Sequence, residues 1–397
     1  MSQPIGLNWQ LSSYSGWGGL GLHLALRLLA TGRALPVPVH RPDLSLGPVE
    51  RRLIQPALEA HAMLAAKLAP AQAADPAAVF TLSIPIIHAL GNDFVYHGRL
   101  RGATNLGLIF FENTAFSPAG LARGRAFDLI VAGSRWNAAR LEALGIASVR
   151  MCWQGIDPTV VHPAPRAGFL ADRFVVFSGG KLEHRKGQDI ALVAFRAFRQ
   201  RHPEALLLTA WHSPWPATAA TITRGGLVSG PPPVGPNGRL DIAAWAAAEG
   251  VPPGALFDVG VVPNREFGKI VREADVAIFP NRCEGGTNVV AMEALACGVP
   301  CIIADNTGQR DLVAEVACYP LTDQRPVPSL GPGDGTDDWG ESSVEELVEA
   351  LEHVYQHRDE ARAIGRRAAE QMLAWSWQRR LDELIAMLAP AALGQAA

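Results

Sequence analysis

A chain of 397 residues exceeds the usual size of one domain, so two are expected. Hydrophobic residues at 48% and charged residues at 18% describe an ordinary globular protein, and a net charge of −3 argues against nucleic acid as the main partner. Five cysteines (152, 283, 297, 301 and 318) are sparse and odd in number, which fits a reducing cytosol rather than a disulfide scaffold.

Residues 1–25 lack the basic start and apolar core of a secretory signal, and no uncharged apolar run is long enough to span a membrane. Cys297 and Cys301 bracket a helix stop without a second His/Cys pair, so no metal site is expected there. The charge is uneven. Residues 1–170 carry 14 Lys and Arg against 9 Asp and Glu, and the remainder carries 21 against 29. A basic first half admits an anionic acceptor or peripheral contact with an anionic membrane face; arginines scattered over a solvated surface explain it equally well.

Ile5 to Gln10 reads as a first strand, followed by a polar loop and then Gly16-Trp17-Gly18-Gly19-Leu20-Gly21 ahead of a helix from His23 to Ala30. A dinucleotide fingerprint needs its glycines directly after the strand and an acid at the end of the next one. Here the next strand, Leu35 to Val39, ends in His40-Arg41, so a dehydrogenase is disfavoured. Residues 49–69 have helical periodicity, with Pro56 a kink or boundary. Val79 to Ile87 reads as a strand with His88 at its end, and Leu106 to Phe111 as another, followed by Glu112-Asn113-Thr114. A carboxylate at 112 can bind a sugar hydroxyl or cap the following segment. Phe127 to Gly133 is a strand, and Ser134 caps a helix. The Gln154-Gly155-Ile156-Asp157 turn leads to a linker at about 163–168.

The second half opens with a strand, Phe174 to Phe177, and the turn Ser178-Gly179-Gly180-Lys181-Leu182-Glu183-His184-Arg185-Lys186-Gly187 before a helix. Lysine occurs four times in the chain, at 67, 181, 186 and 269, and two of these fall in this turn. A helix N-terminus repels cations unless an anion is present, so Lys181, Arg185 and Lys186 suggest a diphosphate. Without the anion both lysines are expected to stand unpaired, so neutralising them should leave stability unchanged or higher. Residues 211–238 are poorly patterned and rich in Gly and Pro, as lids or disordered loops are. Residues 322–342 read as a loop, and Asp334, Asp337 and Asp338 lack calcium-loop spacing. The run Val276 to Phe279 ends at Pro280; Glu284 to Asn288 form a Gly-rich turn; a small-residue helix follows, stopped by Gly298 and Pro300 ahead of strand Cys301 to Ala304. Such a helix start offers free N–H groups to phosphate, and Glu293 a carboxylate to a ribose diol.

The stretch from Pro280 to Thr307 resembles the C-terminal donor-site signature of the family-4 (group 1) retaining glycosyltransferases: two glutamates, a small-residue helix and a Gly-x-Pro stop. The family separates its glutamates by seven residues; here eight lie between Glu284 and Glu293, and aligning Glu293 puts Gly285 at the first position. Lys181 stands where the family commonly has Arg, and Glu112 where it usually places a histidine. The Trp375-Ser376-Trp377 segment is similar to the family's C-terminal crossing.

The resemblance implies an α/β protein of two Rossmann-like, doubly wound domains facing a cleft (GT-B): residues 1–168 on the acceptor side, 169–370 on the nucleotide-sugar side, and 371–397 returning to the first domain. It implies a cytoplasmic transferase acting with retention and without metal, in glycan or glycoconjugate synthesis. The co-substrate is a UDP- or GDP-linked sugar, and the acceptor a glycan, a lipid-linked molecule or a small molecule. The expected catalytic residues are Glu112, Lys181, Lys186 and Glu284. Gly16, Gly18, Gly19, Gly180, Arg185, Gly286, Thr287, Asn288, Val289 and Glu293 are expected around the donor. A nucleotide-sugar epimerase and a catalytically silent sugar-nucleotide-binding protein stand as alternatives.

Overall fold

The computed structural model describes residues 3–213 and 215–392. The last residues of the expected C-terminal segment, 393–397, lie outside the described residues. Strands β1 (Pro4–Asn8), β2 (Leu35–Pro38), β3 (Ile86–Leu90), β4 (Asn105–Ile109), β5 (Leu129–Ala132) and β6 (Val149–Met151) form one parallel sheet in the order 2-1-3-4-5-6. Strands β7 (Phe174–Lys181), β8 (Ala205–His212), β9 (Leu256–Asp258), β10 (Val276–Phe279), β11 (Cys301–Ala304) and β12 (Tyr319–Leu321) form a second, in the order 9-8-7-10-11-12. Central strands of parallel sheets are covered on both faces, which is why β10 and β11 read as unbroken apolar runs and are wholly buried. In each sheet the strand order reverses once, between β1 and β3 and between β7 and β10. The crevice at the carboxyl end of such a reversal is where open α/β sheets bind ligands.

The first compact unit comprises residues 1–155, 330–335 and 375–397, and the second 156–329 and 336–374. The chain leaves the first unit ahead of the linker expected at 163–168. That segment is fastened to the second unit: Arg166 pairs with Asp275 at 2.9 Å, and the Ala167 and Gly168 amides donate to Glu273 Oε1.

In the first unit, helix α1 (Gly16–Thr31) includes the whole 16–21 run, expected as a loop ahead of a shorter helix. Ser15 caps it, its Oγ accepting from Gly18 N. A side chain at Gly18 would collide with Ser12, and one at Gly21 with the Trp9 indole. These glycines therefore let the helix lie close against the segment leaving β1. Helix α2 (Pro48–Ala74) continues past Pro56, where a kink or boundary was expected. Its buried positions Ile54, Ala57, Ala60 and Leu68 hold it together across the prolines. The strand expected at 79–87 is instead a two-residue bridge, Phe80–Thr81, and β3, so His88 lies inside a strand.

Helix α5 (Trp377–Ala392, numbered after α3 and α4 below) buries Leu381, Leu384, Ile385 and Leu388 in the same core as Leu20, Leu24 and Leu28 of α1. Its Asp382 takes both forks of Arg27 at 2.6 and 2.7 Å. Gly155 has to be glycine because Trp377 occupies the space of its side chain.

In the second unit, β7 runs on to Lys181, four residues beyond its expected end, and helix α3 spans Gln188–Arg201. The 211–238 segment is folded rather than loose. It forms short helical turns at Pro216–Ala219 and Ala220–Gly225, and Ala219, Ile222 and Val228 join the core. The 322–342 segment, expected as a loop, pairs Gln324–Pro326 with Gly340–Ser342 in a small antiparallel ribbon.

One buried charge braces this unit. Arg282, fully sequestered, binds both carboxylate oxygens of Asp189 in the first turn of α3, Glu341 on the ribbon and the His184 carbonyl, each at 2.8 Å. Arg282→Met leaves the Asp189 carboxyl unpaired in the interior and should cost about 3–5 kcal/mol. Denaturant unfolding followed on the second unit's transition measures this. A loss below about 1 kcal/mol would show that the pair is solvated.

Candidate functional site

The reversal of the second sheet collects the cations and carboxylates the sequence singled out. Lys181 is the last residue of β7, and Arg185 and Lys186 lie on the short turn that leads into α3. Gly187, at φ +67, closes that turn against the Pro280 carbonyl at the end of β10, where a Cβ would not fit. Gly180, at φ +129, takes the same glycine-favouring region just before Lys181.

The lysines are paired, contrary to expectation. Lys186 Nζ lies 2.5 Å from Glu284 Oε1, and Arg185 Nη1 lies 3.1 Å from Glu284 Oε2. Glu183 bridges Lys181 at 3.0 Å and Arg185 at 2.7 Å. Asn281 Nδ2 also donates to Glu284, and Glu284 N donates to Thr307 Oγ1. Burial pushes the Glu284 carboxyl up, but Lys186 and Arg185 together outweigh it and hold the pKa below the usual value. Three cations and two carboxylates thus alternate along one line, because an unbalanced cation beside a helix start is unfavourable. Lys181 is the most accessible of the three, its side chain 32% exposed against 12% for Lys186. The exposed Trp215 ring lies 5.2 Å from its ammonium.

Helix α4 (Val289–Ala296) opens on the Gly-rich turn. Asn288 caps it in the left-handed region at φ +63, its Oδ1 accepting from Ala291 N and its Nδ2 donating to Gln309. Thr287 and Asn288 were expected to face the donor; both are buried, and the Thr287 hydroxyl donates to Met292 Sδ. Gly286 is likewise buried, its carbonyl against Gly308. Val289, the first residue of the helix, is half-buried.

Glu293, in the second turn of α4, is half-buried, and its carboxyl has no hydrogen bond or ion pair among the described residues. Burial and the neighbouring Asp157 push its pKa up to about 8.

The remaining expected site residues lie in the first unit. Gly18 N is used by Ser15 Oγ and Gly19 N by the Ser15 carbonyl, so these two amides serve the helix; Gly16 alone of the three faces open space. Glu112 follows β4, with its amide donating to Asn92 Oδ1. It does not cap the next helix, Pro118–Arg125; Ser117 does. Asn113 instead ties the segment to residues 333–335 of the same unit.

Sequence reasoning missed Glu183, Asn281, Thr307 and Trp215. The Lys181-x-Glu183-x-Arg185 alternation was the available signal for the first, since extended backbone puts such residues on one side. No local pattern announces the others. Among the described residues no group of three or more His, Cys, Asp or Glu side chains could hold a metal ion.

Two parallel doubly wound units of this kind define the GT-B fold. Sucrose-phosphate synthase from Thermosynechococcus elongatus superposes with TM-score 0.64 at 16% identity, covering 97% of this chain and 98% of that one. HepE of Anabaena in complex with UDP-glucose gives 0.61 at 15%, covering 97% and 100%. Residues 165–318 match the family described as "Glycosyl transferases group 1", and residues 264–384 the family described as "Family 4 Glycosyltransferase in conflict systems". The second unit of the chain is thus a group 1 glycosyltransferase domain. D-inositol 3-phosphate glycosyltransferase of Acidothermus cellulolyticus is 28% identical over 162 residues, 39% of this chain; the match spans about a third of that relative's length, 33%.

The Glu293 carboxyl yields a signed pH test. Below its ordinary value of 4.5 it is protonated in both folded and unfolded chains and contributes nothing. As pH rises from there toward about 8, the unfolded chain releases the proton and the folded one keeps it, so stability falls through that window. Glu293→Gln should therefore gain on the parent by up to about 1.4 kcal/mol per pH unit. Melting curves of both proteins at about pH 5 and about pH 8 decide it; parallel profiles would mean an ionised, solvated carboxyl.

Proposed function

We propose that the protein transfers a sugar from a nucleotide-diphosphate sugar, UDP- or GDP-linked, to an acceptor hydroxyl, with retention and without metal. The observation that carries this is the cation line Lys181–Arg185–Lys186 at the strand reversal of a group 1 glycosyltransferase domain. The HepE structures, in complex with UDP and with UDP-glucose, support the nucleotide class.

The donor diphosphate takes Lys181 from Glu183, the accessible end of the line, while Lys186 and Arg185 stay braced by Glu284. Charge grows on the departing diphosphate, so cations already in place favour the transition state over the bound donor. The Val289 amide at the start of α4 adds a donor to the phosphates. Glu293, half-buried and without a protein partner, takes the ribose hydroxyls. Glu112 faces the acceptor side as the counterpart of the family's histidine. A cytoplasmic setting fits the reduced cysteines, and the acceptor is a glycan, a lipid-linked molecule or a small molecule.

A silent sugar-nucleotide-binding protein is the second reading, favoured by the complete pairing of the cations and by Glu112. Turnover of a nucleotide-sugar panel separates the two; no thermal stabilisation by any UDP- or GDP-linked sugar would end both.

Lys181→Met should lower kcat roughly 10²–10³-fold, with a smaller rise in KM. Lys186→Met should do the same and also destabilise the fold, because Glu284 is left buried with one cation fewer. Initial rates beside melting curves read both effects. Near wild-type kcat in Lys181→Met would identify the turn as a solvated basic loop.

A further inference from the structure

The carboxyl edge of the first sheet carries a polar chain that the donor chemistry does not use. Asn8, the last residue of β1, is fully buried, and a backbone group fixes its amide: Nδ2 lies 2.8 Å from the His97 carbonyl, which can only accept. The same Nδ2 is 2.9 Å from His88 Nδ1, so that nitrogen carries no proton. His88 must then be protonated on Nε2, which donates to Asn105 Oδ1 at 3.0 Å. Asn105 is oriented independently, its Oδ1 accepting from Gly102 N at 2.9 Å and its Nδ2 donating to the Gly102 carbonyl at 3.1 Å. Burial holds the His88 pKa down at about 4, so the ring stays neutral.

On the other side of Asn8, Oδ1 remains as an acceptor, and His40 Nε2 lies 3.0 Å from it. The proton of His40 therefore sits on Nε2 and its lone pair on Nδ1. Burial first, then His97 and His61, lower the His40 pKa, which keeps the ring neutral. Nδ1 has no protein partner among the described residues, yet it is not sealed inside. Gly98, at φ +82, lies beside the Cε1–Nε2 edge of the ring, where a Cβ would stand 3.6 Å away in ordinary contact. His40 follows β2 at the carboxyl edge, one strand from the reversal at β1 and β3.

We propose that His40 Nδ1 receives a hydroxyl of the acceptor of the transfer, with Asn8, His88 and Asn105 acting as positioning residues that fix its tautomer. The proposal rests on the transferase reading for the word acceptor. A lone pair that cannot gain a proton from its own support selects O–H donors over carboxylates and phosphates, which would present a second lone pair.

The test uses the full chain labelled with ¹⁵N-histidine, titrated with glucose and with myo-inositol, beside calorimetry with UDP. The wild-type spectrum should show His40 and His88 as Nε2–H tautomers, and one of the two polyols should move His40 Nδ1 saturably. His40→Ala should bind that polyol about three- to tenfold more weakly by ligand-observed NMR, with UDP affinity unchanged. A proton on His40 Nδ1, or a signal unmoved by both polyols while UDP binds, overturns the proposal. Failure of UDP to bind strikes the transferase reading instead, and the polyol titration still judges His40.

Discussion

Glu284 is buried and charged, and neither condition would survive without the two cations against it. Burial alone favours the neutral carboxyl; Lys186 and Arg185 reverse that preference. The dependence runs both ways. Lys186 lies one residue from the cap of α3, where the helix dipole opposes positive charge, and Glu284 supplies the compensation. Because Glu284 N also donates to Thr307 and Gly308 N donates to the Glu284 carbonyl, the turns after β7, β10 and β11 are fastened through one residue. A ligand bringing negative charge to this edge does not meet bare cations. It meets a neutralised line that opens where the carboxylate is held least, at Glu183 and Lys181.

The two units share a topology and differ in how they satisfy polar groups at the strand reversal. The second uses ions, which exchange partners readily when another anion arrives. The first uses neutral amides and imidazoles whose orientation is dictated by backbone groups at His97 and Gly102. A neutral network of this sort has a direction, because each amide has one donor end and one acceptor end. Fixing both ends leaves a single open lone pair. The two units thus differ in kind at the same place in the topology, one held by charges and the other by oriented neutral groups.

Much of the architecture was legible because parallel strands advertise themselves as short apolar runs between turn residues. The errors have physical causes. The run 16–21 reads as a loop because glycine disfavours helices, but close packing against Ser12 and Trp9 demands the absence of side chains there. Residues 211–238 lack periodicity because their buried positions, Ala219, Ile222 and Val228, are spaced irregularly around short helical turns. The cations at 181, 185 and 186 were legible from composition alone. Their partners were only partly so: Glu183 through its alternation with them, Glu284 not at all, since it stands about a hundred residues away in sequence.

The altered spacing of the two glutamates acquires a meaning in three dimensions. The turn between them ends in a left-handed residue, Asn288, a conformation that Asn bears more readily than most non-glycine residues. Glu284 lies against the cations of the neighbouring turn, while Glu293 sits in the second turn of α4. Their environments drive their pKa values apart, the first held below the ordinary range by cations and the second raised to about 8 by burial. Carboxyls separated in this way cannot substitute for each other. Glu284 is a fixed anion that organises its neighbours. Glu293 is the carboxyl for which the described residues provide no partner.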